Sequence, residues 1–284
     1  MKPQPPTPIW TALTQYCLPA RIFNNRWLAP ILFLPLLTSY VAYGALTSAR
    51  QLSVTANAWD IVVEVLNGRL WVHHGLINLL IYLVSSITLF GESGQLVLLR
   101  TGSRWLWFQL QSICAITAVV AYIALLVVII VGVAALLAPW TLTWSSAAAA
   151  ILNQHGLPAD ALLRLSPLST AVLMLILLGC AWIGISIAVA TVTLATQNAT
   201  YGFIAGLALN YSALIITLAD IRLPFLDELW FHQRMFLWGN KPTTDSLTDM
   251  VIQALLYWLV WSTAGLTALW VVCRNLDIVA KNSG

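Results

Sequence analysis

The chain has 284 residues, of which 60% are hydrophobic and 8% charged, and its net charge is +3. Soluble domains carry about 25% charged residues, and a soluble fold of this size has too little interior to hide so many apolar side chains. The composition excludes an ordinary soluble domain, the small net charge argues against a nucleic-acid-binding surface, and the lipid bilayer is the natural solvent.

Residues 1–27 read as a cytoplasmic N-terminal segment. The first eight are Pro-rich, and 9–18 alternate polar and apolar residues around Trp10 and Tyr16. That pattern suits a helix lying in the membrane interface or a plain polar linker. The apolar run after Arg21 and Arg26 lacks a cleavage pattern, so it is expected to stay as a span and not to leave as a signal peptide. Residues 28–273 read as one transmembrane domain and 274–284 as a short cytoplasmic tail.

Six spans are predicted, at about 28–47, 71–90, 108–138, 168–195, 201–219 and 250–273. In the first, Pro30 sits in a tolerant first turn and Pro35 predicts a kink. Residues 50–70 hold Asp60, Glu64 and Arg69 and read as polar enough to leave the bilayer. The third span exceeds the roughly 20 residues needed to cross, so it should tilt or project until Pro139 stops it. Residues 140–167 read as a loop with a small alanine-rich segment at 147–152 and a turn around 156–158. The turn 196–200 is so short that the fourth and fifth spans should form an antiparallel pair. The loop before the sixth span is rich in charge and aromatics, and 223–238 is amphipathic enough to lie in the outer leaflet or on the surface. The fold class is therefore all-α, a polytopic membrane protein with six transmembrane helices.

An even number of spans puts both termini on one side. That side would hold seven basic and two acidic residues, in short segments near span ends, including Arg21, Arg26, Arg100, Arg104 and Arg274. The positive-inside rule makes it the cytoplasm. The polar stretch 91–107, GESGQLVLLRTGSRWLW, lies between the second and third spans and shares that side.

Few residues promise chemistry. No G-x-x-x-x-G-K-[ST] is present, so ATP hydrolysis by a P-loop is not expected. His73 and His74 appear to open the second span on the outer side, and adjacent positions make a poor two-ligand metal site. No metal site or catalytic residue is assigned. Cys17, Cys114, Cys180 and Cys273 show no C-x-x-C spacing and read as free apolar thiols. Asn78 and Asn210 are polar at membrane depth and must find partners on other helices or line a substrate path. Trp182 lies inside the fourth span and is a third candidate for that path. Gly202 and Gly206 form a G-x-x-x-G pair suited to close helix packing. The 14 tryptophans mostly mark an interfacial belt.

The stretch 98–107, LLRTGSRWLW, contains R-x-x-S-R-x-x-W. With six spans, cytoplasmic termini and an amphipathic segment before the last span, it resembles the small ABC-2-type permease subunits of bacteriocin, lantibiotic and multidrug export systems. The family often has lysine after these tryptophans, whereas this chain has Gln109 and Gln111. The resemblance implies a bacterial plasma-membrane permease that binds no cofactor itself, with ATP and Mg held by a separate cytoplasmic ABC ATPase. It also implies a second permease subunit, identical or related, and membrane lipids as the surroundings. In such proteins the loop between spans two and three docks on the ATPase. Here Glu92, Leu96, Leu99, Arg100 and Arg104 would form that contact. The low charge of the spans suggests an amphipathic or apolar substrate such as a peptide, drug or lipid. A non-transporting accessory, immunity or scaffold protein is the alternative.

Overall fold

In hydrocarbon every backbone N–H and C=O must be satisfied within the chain, and a long uncharged segment does this as a helix. The computed structural model describes residues 25–68, 71–88, 103–154, 159–218, 234–236 and 247–276. Among these residues the regular elements are helical. A 3-10 turn, Asn25–Trp27, leads into α1 (Leu28–Gln51), which is followed by α2 (Ala58–Asn67). A π-helical turn, Val72–Ile77, then opens α3 (Asn78–Ile87). After the loop come α4 (Arg104–Leu137), the short α5 (Ala148–Gln154) and α6 (Ala159–Leu162), α7 (Pro167–Thr196), α8 (Ala199–Leu218) and α9 (Leu247–Asn275).

Four of these helices are long and apolar enough to cross a membrane: α1 with its leading turn, α4, α7 and α9. Helix α2 and residues 72–87 qualify together as a fifth crossing, bent by 64°. Helix α4 is 34 residues long, about 50 Å at 1.5 Å per residue, so it outruns a hydrocarbon layer of about 30 Å. Helix α1 runs unbroken through Pro35.

Helix α7 is the axis of the bundle and α9 its rim. In their most apolar windows 61% of α7 is buried, against 11% of α9. Helices α2, α3, α4, α8 and α9 all pack on α7. Two glycines let bulky neighbours close in: a Cβ on Gly179 would touch Ile123 of α4, and one on Gly184 would meet Trp261 of α9. The predicted tight pair is α7 with α8. Gln197 takes the left-handed conformation at φ 54° as the C-cap of α7, which turns the chain within three residues.

The structure corrects the reading of residues 50–70. Helix α2 does not leave the bundle; it packs between α1, α4 and α7, and Ile61, Val62, Val63, Val65 and Leu66 are buried. Its polar residues misled because they serve the helix end. Asn57 is the N-cap: its Oδ1 accepts from Trp59 N at 2.9 Å, and Asp60 Oδ2 accepts from Asn57 N at 2.7 Å. This reciprocal box satisfies donors that would otherwise be orphaned. Asn57 Nδ2 also donates to Thr141 Oγ1 at 2.7 Å and Thr143 O at 3.0 Å, tying α2 to the loop after α4. Asn57→Ala should therefore cost about 2 kcal/mol, combining a lost cap with two lost tertiary bonds. Equilibrium unfolding in mixed micelles measures it; a loss below about 0.5 kcal/mol would mean that water replaces the side chain there.

The expectation of free thiols holds for Cys180 and Cys273. Cys114 is disulfide-bonded, with a partner outside the described residues.

Candidate functional site

The strongest polar feature sits where α3 begins. A π-helical turn inserts an extra residue into the helix and shifts the phase of what precedes it. Here it leaves His73 buried and the neighbouring His74 exposed. The turn packs against the middles of three long helices. Gly75 packs against Leu37 near the middle of α1. The Tyr122 hydroxyl, near the middle of α4, donates to Leu76 O at 2.8 Å. Asn210, near the middle of α8, bonds His73. The sequence reading put the two histidines at the opening of a span; here they sit level with the middles of α1, α4 and α8.

Five side chains form one hydrogen-bonded chain. Asn210 Nδ2 donates to His73 O at 2.9 Å and to Asn78 Oδ1 at 3.1 Å. Its Oδ1 is therefore an acceptor, and His73 Nδ1, 2.8 Å away, carries the proton. Asn78 Nδ2 donates to Tyr211 Oη at 2.6 Å and to His74 O at 3.1 Å. Tyr211 Oη also lies 3.1 Å from His74 Nδ1, a hydrogen bond that either tautomer of the ring can make. Ring contacts back both imidazoles: His73 lies edge-on to Phe236 at 5.6 Å, and His74 is tilted over Tyr211 at 5.3 Å. Two histidines level with the middles of long apolar helices are a functional signal, since ionisable residues are costly in hydrocarbon.

One edge of this cluster is open. His74, Asn78 and Tyr82 recur four residues apart and so share a helix face. His74 is exposed, Asn78 half-buried and Tyr82 36% exposed. At one end of the strip Arg26 donates to Tyr82 O at 3.2 Å, and its guanidinium lies 4.8 Å above the Tyr82 ring. At the other end Trp71 meets Tyr40 edge-on at 5.1 Å. Beyond them lies a cavity of about 440 Å³ lined by Tyr40, Tyr43, Thr47, Gln51, Glu64 and Trp71. The polar strip thus follows α3 and α1 through much of the bundle's length.

Of the residues singled out by sequence, Asn78 and Asn210 are brought together here. Trp182 is not. It is fully buried between α7 and α4, its ring 5.5 Å from Tyr122. Gly202 and Gly206 hold α8 against α7 and α3: a Cβ on Gly202 would strike Thr193, and one on Gly206 would come within 2.7 Å of both Ile81 and Val189. They set how close α8 comes, and so place Asn210 within reach of α3.

Glu92, Leu96, Leu99 and Arg100 lie outside the described residues. Arg104 opens α4, whose first turn is capped by Ser103 Oγ accepting from Leu106 N at 3.3 Å. Arg104 donates to Arg274 O at the end of α9. Trp105, Phe108 and Trp270 form a cluster beside it, with ring centroids 5.2–5.5 Å apart. The first turn of α4 is thereby clasped to the last helix.

Sequence reasoning missed His73, His74, Tyr211 and Tyr82. A usable signal was present, since His74, Asn78 and Tyr82 repeat at helical spacing. It was not read, because His73 and His74 were weighed only as a metal-ligand pair at a span opening. Among the described residues no group of three or more His, Cys, Asp or Glu side chains is placed to hold a metal ion. No family model, curated protein or solved structure was found to match the chain.

Proposed function

We propose that the chain is the permease subunit of a membrane transporter driven by a separate ABC ATPase, exporting an amphipathic or apolar substrate. In this reading α8 and the bent α2–α3 pair complete six spans, with both termini in the cytoplasm of a bacterial inner membrane. One observation supports it: Arg104 and Trp105, at the end of the 91–107 stretch that follows α3 in sequence, are clasped to α9. Force applied to the loop would move both helices. The chain supplies the loop as a handle, and the ATPase supplies ATP and Mg. A second permease subunit, identical or related, would close the open edge of the strip. ATP must then distinguish the inward-open from the outward-open arrangement, or it shifts nothing.

The test is a mild-detergent pull-down of the tagged full chain from its host. A stoichiometric ABC ATPase is the expected companion. Arg100→Glu with Arg104→Glu should cut its recovery about tenfold, the scale of losing charge pairs at an interface. Arg100→Glu alone, which leaves the Arg104–Arg274 contact in place, should show part of that loss. Unchanged recovery in both variants would remove the coupling role from this loop. Recovery of this chain alone would favour the accessory or scaffold reading.

A further inference from the structure

We propose that the cavity at the C-terminal end of α1 binds an amphiphile whose head is a neutral, polyhydroxylated ring such as a sugar, which names the substrate's head group and rests on the permease reading only for the transport that follows binding. The cavity measures about 440 Å³, within the roughly 300–1,000 Å³ of small-molecule sites. Helix α1 gives Tyr40, Tyr43, Ser48 and Gln51 to its wall, and Trp71, just before the π-helical turn, adds an indole. That indole is held from two sides. It meets Tyr40 edge-to-face with ring centroids 5.1 Å apart, and its Cδ1 lies 2.7 Å from where a Cβ on residue 68 would stand, so Gly68 leaves it room.

The chemistry of the wall selects the ligand. Among the described residues, no hydrogen bond of the chain uses the Tyr40, Tyr43 or Ser48 hydroxyl or the Gln51 amide. Thr47, between them, is already spent on Tyr43 O at 2.8 Å. Each open group is neutral, and each both donates and accepts. An ammonium offers donors alone and a carboxylate acceptors alone, so either would satisfy half of this wall. A hydroxyl-bearing ligand does both. The C–H face of a sugar ring can also lie on the Trp71 and Tyr40 rings, which offer large apolar area at low cost in side-chain entropy. Glu64 is the one charged side chain among the described lining residues; it has a partner within the chain, and the ligand needs nothing from it. Toward the start of α1, Leu36 and Phe33 continue the face of Tyr43 and Tyr40, and all four are exposed. That stripe gives the amphiphile's apolar chain a path away from the cavity.

The experiment uses the full chain, purified without glycoside detergents and placed in phosphatidylcholine nanodiscs, with empty nanodiscs as the control for partitioning into lipid. Dansylaminoundecyl glucoside is titrated by fluorescence beside probes of the same chain that end in a methyl ether, a trimethylammonium or a carboxylate. Saturable binding of the glucoside is expected, about tenfold tighter than the methyl ether, the scale of one or two net hydrogen bonds. Gln51 is exposed at the last residue of α1, so the fold does not depend on its side chain. Gln51→Ala should weaken the glucoside about fivefold, the scale of one neutral hydrogen bond, and leave the methyl ether unchanged. Trp71→Ala should weaken the glucoside about tenfold, the scale of one aromatic contact. Trp71→Phe keeps a ring face and should retain most of the binding, which separates stacking from a merely structural role. Equal affinity for the glucoside and the methyl ether, or glucoside binding untouched by Gln51→Ala and Trp71→Ala, would overturn the proposal. A trimethylammonium or carboxylate probe binding as tightly as the glucoside would overturn the polyol assignment. Because the assay contains no ATPase, its outcome is independent of the pull-down. Glucoside binding without an ATPase companion would refute the permease reading alone, and an ATPase companion without glucoside binding would refute this site alone.

Discussion

Replacing Asn210 with leucine is expected to destabilise the fold by about 3 kcal/mol. Three hydrogen bonds end at this buried side chain: the one from His73 Nδ1 and the two to His73 O and Asn78 Oδ1. Interhelical bonds in membrane proteins average about 0.6 kcal/mol and reach about 1.7. The larger cost comes from what remains. His73 Nδ1–H loses its acceptor within a buried turn, and an unsatisfied buried polar group costs about 1–3 kcal/mol. Leucine cannot relieve this, and no water-filled space is needed to explain the present geometry. Equilibrium unfolding in mixed micelles reads the loss. The double variant with Asn78→Leu should cost clearly less than the two single losses added, because both belong to one chain of bonds. Additive losses would mean that the five side chains do not act as a unit.

Gly206→Ala should cost about 2–3 kcal/mol, even though alanine ordinarily favours helix. Its Cβ would stand 2.7 Å from Ile81 Cγ2 and 2.7 Å from Val189 Cγ2. Both neighbours are β-branched and held in one rotamer in a helix, so neither can turn aside. Relief must come from moving α8 outward, and overpacking of this kind costs about 1–3 kcal/mol. That movement would also stretch the bonds from Asn210 to α3, so the cluster and the packing should fail together. Gly132→Ala is the matched control: nothing lies within 4 Å of its Cβ position, and the helix should be unchanged or gain up to about 1 kcal/mol. A Gly206→Ala protein as stable as wild type, with His73 still bonded to Asn210, would show that α8 is free to shift.

These two predictions concern residues that sequence alone picked out, yet their meaning came from packing. Gly202 and Gly206 were legible as close-packing residues, because G-x-x-x-G in an apolar helix has few other uses. Asn78 and Asn210 were legible as polar groups needing partners. That they partner one another depends on the register of α3 against α8, which no local pattern encodes. His74 and Tyr82 stand at helical spacing, but His74 was assigned to the opening of a span, because Asp60, Glu64 and Arg69 made 50–70 read as polar, and Tyr82 was given no role. In the fold, Asn57 and Asp60 form a helix cap, so their polarity is spent on the backbone and the rest of α2 is buried. Trp182, a candidate from sequence for the wall of a path, is fully buried against Tyr122.

The sequence by itself determined the solvent and the class. A chain that is 60% hydrophobic and 8% charged must satisfy its backbone in lipid, and helices do so from local bonds alone. The α4, α7 and α8 segments and the tight α7–α8 turn follow from local composition in the same way. Tertiary structure decided the rest: that α2 belongs inside the bundle, that a π-helical turn sets two histidines level with the middles of α1, α4 and α8, and that Asn210 and Tyr211 meet them. Those outcomes depend on contacts between helices distant in sequence, and in a uniformly apolar chain little besides packing distinguishes one register from another.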